Sequence, residues 1–279
     1  MKSLLELKFA KMHGLGNCFV LVDDRQGEAS GAVDEDELAR TVCDRDFGIG
    51  ADGLILVRDS ETADLTMRIL NEDGSEAEMC GNGIRCFARF AVDEGITDRT
   101  ELEVDTLAGS MRTRLLDDGR VEVDMGRPSL FSEDVALEPE EGRVRVKLGG
   151  RDYTFVSMGN PHAVTFVDEF DFDWRLVGAA VETDEVFPNK INVHFVRVSG
   201  PREAEIRVWE RGCGVTMACG TGACAAAVAG ALEGRLDRAQ IAVRLPGGDL
   251  DIEWTEDDRV MMTGPAVLVC RGKLFYEPS

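Results

Sequence analysis

Two stretches of this chain follow one plan, and that repetition limits the fold more than any other feature. Phe9-Ala-Lys-Met-His-Gly-Leu-Gly-Asn17 and Phe155-Val-Ser-Met-Gly-Asn160-Pro-His162 are each a strand-like run ending in a glycine-asparagine turn. An apolar strand follows each, from Phe19 to Val22 or from Ala163 to Val167. Each half then reaches a Cys-Gly-X-Gly frame ahead of a helix-like stretch. Cys80-Gly81-Asn82-Gly83 begins 63 positions after Asn17, and Cys219-Gly220-Thr221-Gly222 begins 59 positions after Asn160. The near-equal spacing predicts duplication. The expected fold is α+β, with two pseudo-symmetric domains, each a curled, mainly antiparallel sheet around a buried central helix. The boundaries expected are 1–126 plus 265–279 for the domain carrying Cys80, and 127–264 for the domain carrying Cys219.

Local signals fill in this frame. Asp34 followed by Glu37 reads as the start of a helix through Leu38, Ala39 and Val42, and its counterpart runs from Asp173 to Val181. After Cys80, the residues Ile84, Phe87, Ala88 and Ala91 fall at i, i+3, i+4 and i+7, one apolar face of a helix ending near Gly95. After Cys219, the run from Ala223 to Leu232 is small and apolar all round, so that helix must be enclosed on every side. Period-two alternation predicts strands at 102–104, 120–124, 143–148, 192–198, 205–208, 241–245 and 260–262. The tail from Val267 to Tyr276 is expected to return to the first domain.

Composition narrows the classes of function. With 31 basic against 53 acidic residues the net charge is −22, and no basic stripe can form the footprint that phosphate backbones need. Only six of the basic residues are lysine. Such an acidic, lysine-poor surface points to a host with high internal salt, where screening removes self-repulsion. Eight cysteines at irregular spacing in 279 residues do not resemble a small secreted disulfide scaffold and read as reduced thiols. No cleavable leader pattern and no run of about 18 apolar residues occurs, which predicts a soluble cytoplasmic protein without a membrane partner.

The chemistry resides in the two thiols. The first N–H groups of a helix lack intrahelical acceptors, and the macrodipole places about half a positive charge there. A cysteine at that point is expected to gain thiolate character, with a pKa falling from about 8.5 toward roughly 3.5 to 7.5. Asparagine is scarce, and five of the six (Asn17, Asn71, Asn82, Asn160 and Asn192) lie in glycine-rich turns or beside the motifs. Asparagine both donates and accepts, which suits a ligand with ammonium and carboxylate groups; it also simply favours turns. A thiol redox site lacks a Cys-X-X-Cys pair. A zinc site is disfavoured because Cys213, Cys219 and Cys224 have gaps of five and four residues, where structural zinc usually takes pairs two to four apart.

Five ordered segments carry a resemblance: Lys11-Met-His-Gly-Leu-Gly-Asn17, Asn71-Glu-Asp-Gly-Ser75, Met79-Cys-Gly-Asn-Gly-Ile-Arg-Cys86, Met158-Gly-Asn-Pro-His162, and Glu210-Arg-Gly-Cys-Gly-Val-Thr-Met-Ala-Cys-Gly-Thr-Gly-Ala-Cys224. Over nearly its whole length the chain resembles the diaminopimelate epimerases, part of a wider group of cofactor-independent racemases that includes proline racemase. The resemblance implies epimerisation of LL-2,6-diaminopimelate to the meso form in lysine biosynthesis, with Cys80 and Cys219 as thiolate base and thiol acid and with no cofactor or metal. Gly81, Asn82, Gly220 and Thr221 would hold the α-carboxylate. Glu210 and Arg211 would meet the ammonium and distal carboxylate, with Asn71, Asn160 and Asn192 completing that subsite and Asn17 lining the pocket. His162 and Glu210 would each tune one thiol. Family members are often dimeric. Two departures stand out: Cys18 where the family commonly has Asp, and Gly53 where some members have Gln. The alternatives are a proline racemase-like isomerase of another amino acid, and a non-catalytic amino-acid-binding protein on the same frame.

Overall fold

The computed structural model describes residues 5–31, 33–131 and 144–276. Its chain divides into two compact units, Met1–Val123 with Gly264–Ser279, and Asp124–Thr263.

In the first unit the chain runs β1 (Leu5–Gly14), β2 (Asn17–Asp23), α1 (Glu35–Cys43), β3 (Gly53–Arg58), β4 (Leu65–Asn71), β5 (Glu76–Ala77), α2 (Gly81–Asp93), β6 (Glu101–Thr106), β7 (Gly109–Leu115) and β8 (Val121–Asp124). β1 and β2 form an antiparallel hairpin, whose turn holds Leu15 and Gly16 at φ 56° and 88°. β2 pairs parallel with β3 across the α1 connection, β3 antiparallel with β4, and β4 parallel with β6 across α2. Asp34 caps α1 by accepting from the N–H groups of Asp36 and Glu37.

Alternation along the strands assigns the two faces. Val20, Val22, Leu54, Leu56 and Leu70 pack with Leu38, Ala39 and Val42 of α1. Ile55 and Ile69 point the other way, where their Cδ1 atoms would each lie 3.2 Å from a Cβ placed on Gly83 of α2. The sheet therefore has α1 on one face and curls about α2 on the other.

The second unit repeats this order with β9 (Arg145–Leu148), β10 (Arg151–Ser157), β11 (Pro161–Phe166), α3 (Trp174–Glu182), β12 (Asn192–Gly200), β13 (Glu203–Glu210), β14 (Gly214–Val215), α4 (Gly220–Leu232), β15 (Ile241–Leu245), β16 (Gly248–Trp254) and β17 (Val260–Gly264). The parallel pairs recur in equivalent places, β11 with β12 across α3 and β13 with β15 across α4. Arg143, where β9 was expected to begin, lies outside the described residues. The last described element is β18 (Val267–Tyr276), which pairs antiparallel with β1 of the first unit as β9 does with β10 of the second. Among the described residues six strands add to those legible in the sequence: β3, β4, β5, β7, β14 and β16.

The central helices differ in how they fill their sheets. α4 is buried on all sides from Ala223 to Gly230, so a run of small side chains, five alanines with Cys224, Val228 and Gly230, replaces the usual apolar stripe. Gly230 is required because a Cβ there would lie 2.4 Å from Leu236 Cδ1. α2 instead buries Phe87 and Phe90 together with the fully buried guanidinium of Arg85. That guanidinium donates to the carbonyls of Gly81 and Pro265 and to Asn82 Oδ1, which satisfies the charge that burial would otherwise leave unsupported.

The packing around α4 leaves no room for a larger side chain. Ala226→Leu, at a position with no exposed surface, should destabilise the fold by ~1–3 kcal/mol through overpacking. The check is the urea midpoint at constant m-value; an unchanged midpoint would show that the helix is not enclosed.

Candidate active site

Both Cys-Gly-X-Gly cysteines occupy the N-cap position of a central helix. Cys80 has φ −140° and ψ 118°, Cys219 has φ −121° and ψ 107°, and neither side chain caps its helix. The Cys80 carbonyl accepts the first helical bond from Ile84 N at 2.9 Å, and that of Cys219 accepts from Ala223 N at 3.0 Å. The amides of Gly81 to Gly83 and of Gly220 to Gly222 thus belong to the first turns, which present positive helix ends beside each sulfur.

In the first unit the surroundings of Cys80 are built from the β1–β2 turn and the loop before β3. Cys80 Sγ donates to Asn17 Oδ1 at 3.7 Å, and Asn82 Nδ2 donates to the same oxygen at 3.3 Å. What orients Asn17 is Asp52. Its Oδ2 accepts from Asn17 Nδ2 at 2.9 Å and from Cys18 N at 2.7 Å, while Oδ1 accepts from Arg45 at 2.6 Å. Because an ionised carboxylate only accepts, the amide nitrogen of Asn17 must face it and the amide oxygen must face the thiol. Asn82 is buried, its Oδ1 held by Arg85 at 2.8 Å. Asn71, at the end of β4, is exposed and donates to Ser75 Oγ at 2.9 Å.

The two departures from the family pattern now have local settings. Cys18 supplies its backbone N–H to Asp52, and its thiol donates to Gly16 O at 3.6 Å. At Gly53 a Cβ would lie 2.8 Å from Leu70 O, so close strand packing leaves no space for a side chain there.

In the second unit Cys219 is 5% exposed and donates its S–H toward Glu210 at the end of β13. Thr216 Oγ1 makes a second, short hydrogen bond to Glu210 Oε1. Burial pushes the Glu210 carboxyl above its ordinary range, against the opposing pull of Thr216 and Cys219. The Cys219 thiol stands well above an ordinary cysteine, raised by burial and then by the Glu210 charge. The Thr221 hydroxyl and the Gly222 N–H pull it down but do not prevail. This corrects the expectation of a thiolate at the helix mouth: at Cys219 desolvation and a neighbouring carboxylate outweigh the helix end, so the resting form is the neutral thiol.

The other predicted residues of this unit line one polar array. Asn160 Nδ2 donates to Thr221 Oγ1 at 3.3 Å, and Thr221 Oγ1 lies 3.6 Å from Cys219 Sγ. His162 is fully buried, with Nε2 2.9 Å from Asn160 Oδ1. It reaches Cys219 through Asn160 and Thr221 rather than by a direct bond. Asn192 donates to Pro161 O at 2.9 Å and accepts from Arg211 N at 2.9 Å, so it ties the β11 turn to the start of the Arg211 loop. Arg211 donates to Asn189 O at 3.4 Å.

Several supporting residues were not read from the sequence. Glu182, at the end of α3, accepts from Trp209 Nε1 at 2.8 Å and from Gly212 N at 2.9 Å, which fixes the turn that follows Glu210. Asp52, Arg85, Thr216 and His194 belong with it. A polar residue inside an otherwise apolar strand, such as His194 in Asn192-Val-His-Phe-Val, is the signal that could have exposed one of them.

The diaminopimelate epimerase family profile matches residues 9–131 and 154–269, which takes in both cysteine frames. A diaminopimelate epimerase of Moorella thermoacetica is 53% identical over 95% of this chain and 98% of its own length. That of Desulfitobacterium hafniense is 51% identical over 97% and 99%. Among solved structures, a phenazine biosynthesis protein of the PhzF family from Bacillus anthracis aligns over 97% of this chain and 99% of its own with a TM-score of 0.72 at 17% identity. A hydroxyproline epimerase from Agrobacterium vitis aligns over 99% and 94% with a TM-score of 0.68 at 14% identity, likenesses that establish the shared fold. Matched across both units and half identical to relatives along nearly their full length, this chain belongs to the diaminopimelate epimerase family.

Proposed function

We propose that the protein interconverts LL- and meso-2,6-diaminopimelate by a two-base proton transfer between Cys80 and Cys219, as a cytoplasmic enzyme of lysine biosynthesis. The observation that carries this reading is the equivalent placement of the two cysteines. Each is the uncapping N-cap residue of the central helix of its unit, in a chain whose family and relatives bear the epimerase name.

One thiolate removes the α-proton, forming an S–H bond as the C–H bond breaks, and the electron pair passes onto the α-carboxylate. The other thiol then gives its proton to the opposite face of the carbon, which inverts the configuration and leaves the thiolate on the second cysteine. The developing carboxylate charge is met by the amides of Gly81, Asn82, Gly220 and Thr221 at two helix ends, which act in the manner of an oxyanion hole. Arg211 suits the distal carboxylate because its planar fork holds two oxygens, and Asn71, Asn160 and Asn192 complete that subsite.

Glu210 has the role of readying Cys219. A neutral thiol hydrogen-bonded to a carboxylate whose proton affinity is raised can pass its proton to that carboxylate, and the thiolate left behind keeps the Gly222 and Thr221 donors. In the first unit the Cys80 thiol donates to Asn17 Oδ1, an amide oxygen in place of the carboxylate that faces Cys219.

Incubation with LL-diaminopimelate in deuterium oxide tests the pair. Cys80→Ala and Cys219→Ala should each lower epimerisation by about 10²- to 10⁴-fold, the range for loss of one acid-base group. Wild-type rates of deuterium incorporation in both variants would sink the two-base reading.

A second expectation concerns Glu210 and follows from the direction of its shift. A carboxyl whose folded pKa is raised favours the folded state while protonated. That contribution is lost as pH rises through the folded pKa, so ionised Glu210 costs stability near pH 7. Glu210→Gln should therefore lose activity while its unfolding midpoint, relative to wild type, improves from pH 4 to pH 7. A difference between the two proteins that stays constant with pH would remove this account.

The net charge of −22 gives a third. If the surface is adapted to salt, the unfolding midpoint rises between dilute buffer and molar potassium chloride, because screening relieves repulsion within the fold. Equal midpoints would argue for an ordinary acidic protein.

A further inference from the structure

His194, on β12, takes no part in the mechanism above, yet it is fully buried and in contact with His162, which belongs to the polar array beside Cys219. Its Nε2 lies 2.8 Å from Nδ1 of His162, and the two ring centroids are 4.9 Å apart. Its other nitrogen, Nδ1, has no hydrogen-bond partner among the described residues. The first turn of α4 closes on the Cε1 corner of the ring: a Cβ at Gly222 would lie 2.3 Å from Cε1, 2.8 Å from Nε2 and 2.9 Å from Nδ1. Burial lowers the His194 pKa to about 3, and burial, with His194 and Arg211 nearby, holds His162 well below its ordinary value. Both rings are therefore neutral near pH 7, and each carries a single N–H.

The orphaned nitrogen decides where those protons sit. A buried donor without a partner is rarer than an unfilled acceptor, so His194 carries its proton on Nε2 and leaves Nδ1 as a bare lone pair. Nε2–H then donates to His162 Nδ1. His162 must carry its own proton on Nε2, which donates to Asn160 Oδ1. That sets the amide of Asn160, whose nitrogen donates to Thr221 Oγ1, and the Thr221 hydroxyl proton is left for Cys219 Sγ. Each donor in the series points toward the sulfur.

We infer that His194 is a positioning residue: by holding His162 in its Nε2–H tautomer it orients the series His162, Asn160, Thr221 so that a hydroxyl donor is aimed at Cys219. This rests on the role proposed for Cys219, but the tautomer can be read without substrate. A merely space-filling histidine would affect stability and leave the protonation pattern of His162 unchanged.

The chain has only three histidines, so nitrogen-labelled imidazoles of the full-length protein can be assigned by substitution and their tautomers read from long-range proton–nitrogen correlations. In the wild type at pH 7 both His162 and His194 should be Nε2–H tautomers. His194→Gln, whose amide nitrogen can donate in the same direction, should preserve the His162 tautomer and keep kcat within about threefold. His194→Leu should release that tautomer and lower kcat by ~10- to 100-fold at nearly constant KM, the size of one hydrogen bond to a charged group. An Nδ1–H tautomer of His162 in the wild type overturns the inference even if the leucine variant fails to fold. So does a folded leucine variant with the His162 tautomer and kcat unchanged. A wild type with both rings Nε2–H but no activity on diaminopimelate supports the tautomer assignment and overturns the function proposed above.

Discussion

The structure depends on a helix N-terminus held at the centre of a curled sheet with a cysteine as its cap. A helix end in such a place has unpaired N–H groups with little water to satisfy them, and most folds avoid that by ending the helix at the surface or capping it with Ser, Thr, Asp or Asn. Here neither N-cap thiol makes a regular side-chain capping bond, and at Cys219 the Gly222 N–H pulls on the sulfur itself, so the positive end of each helix stands beside its thiol. The rest of each unit can be understood as what keeps that end in position. α4 is reduced to mostly small side chains so that the sheet can close on it, and α2 is anchored through Arg85, whose guanidinium holds the carbonyl of Gly81 and the side chain of Asn82 in the first turn.

The duplicated framework supports two different chemical environments. In the first unit the polar series ends in an acceptor: acceptor-only Asp52 sets the Asn17 amide, and its oxygen faces Cys80. In the second the sulfur has a carboxylate to one side and, through Thr221 and the Gly222 N–H, donors to the other. One arrangement gives the thiol proton an amide oxygen to point at. The other offers a route by which the proton leaves and a set of donors for the anion that remains. A reversible proton transfer between like groups needs the two forms to be near in energy, and unlike neighbours around identical residues are a direct means of adjusting that balance.

Legibility in the sequence followed the same division. The repeated Phe-to-Asn segments and cysteine frames exposed the duplication, because spacing is a one-dimensional property that a duplicated fold must retain. The enclosure of α4 was legible because an all-small helix has no solvent face to offer, and the structure buries it from Ala223 to Gly230. Short strands such as β5 and β14, two residues each, left no periodic signal to read. The state of Cys219 was misjudged for a related reason. A helix end is visible in sequence as a motif beside a helical run, whereas the burial and the Glu210 contact that outweigh it arise from residues brought together only by folding.

His194 shows why the supporting residues are the hardest part of such a site to find. On a strand, successive side chains face opposite sides of the sheet, so Val193 and Phe195 join the core against α3 while the residue between them points at α4. A large aliphatic side chain there would meet the closely packed first turn at Gly222, and a charged one would enter a buried site without a counter-ion. A neutral imidazole has the flat shape that the glycine contact requires and a single donor to give. Its value lies in that restriction: with Nδ1 facing no partner among the described residues, only one proton arrangement leaves no donor orphaned, and that arrangement passes through His162 and Asn160 to the hydroxyl beside the thiol. Packing and proton position meet at this point in the fold: the glycine admits the ring, and the partner that Nε2 finds and Nδ1 lacks among the described residues decides which nitrogen holds hydrogen.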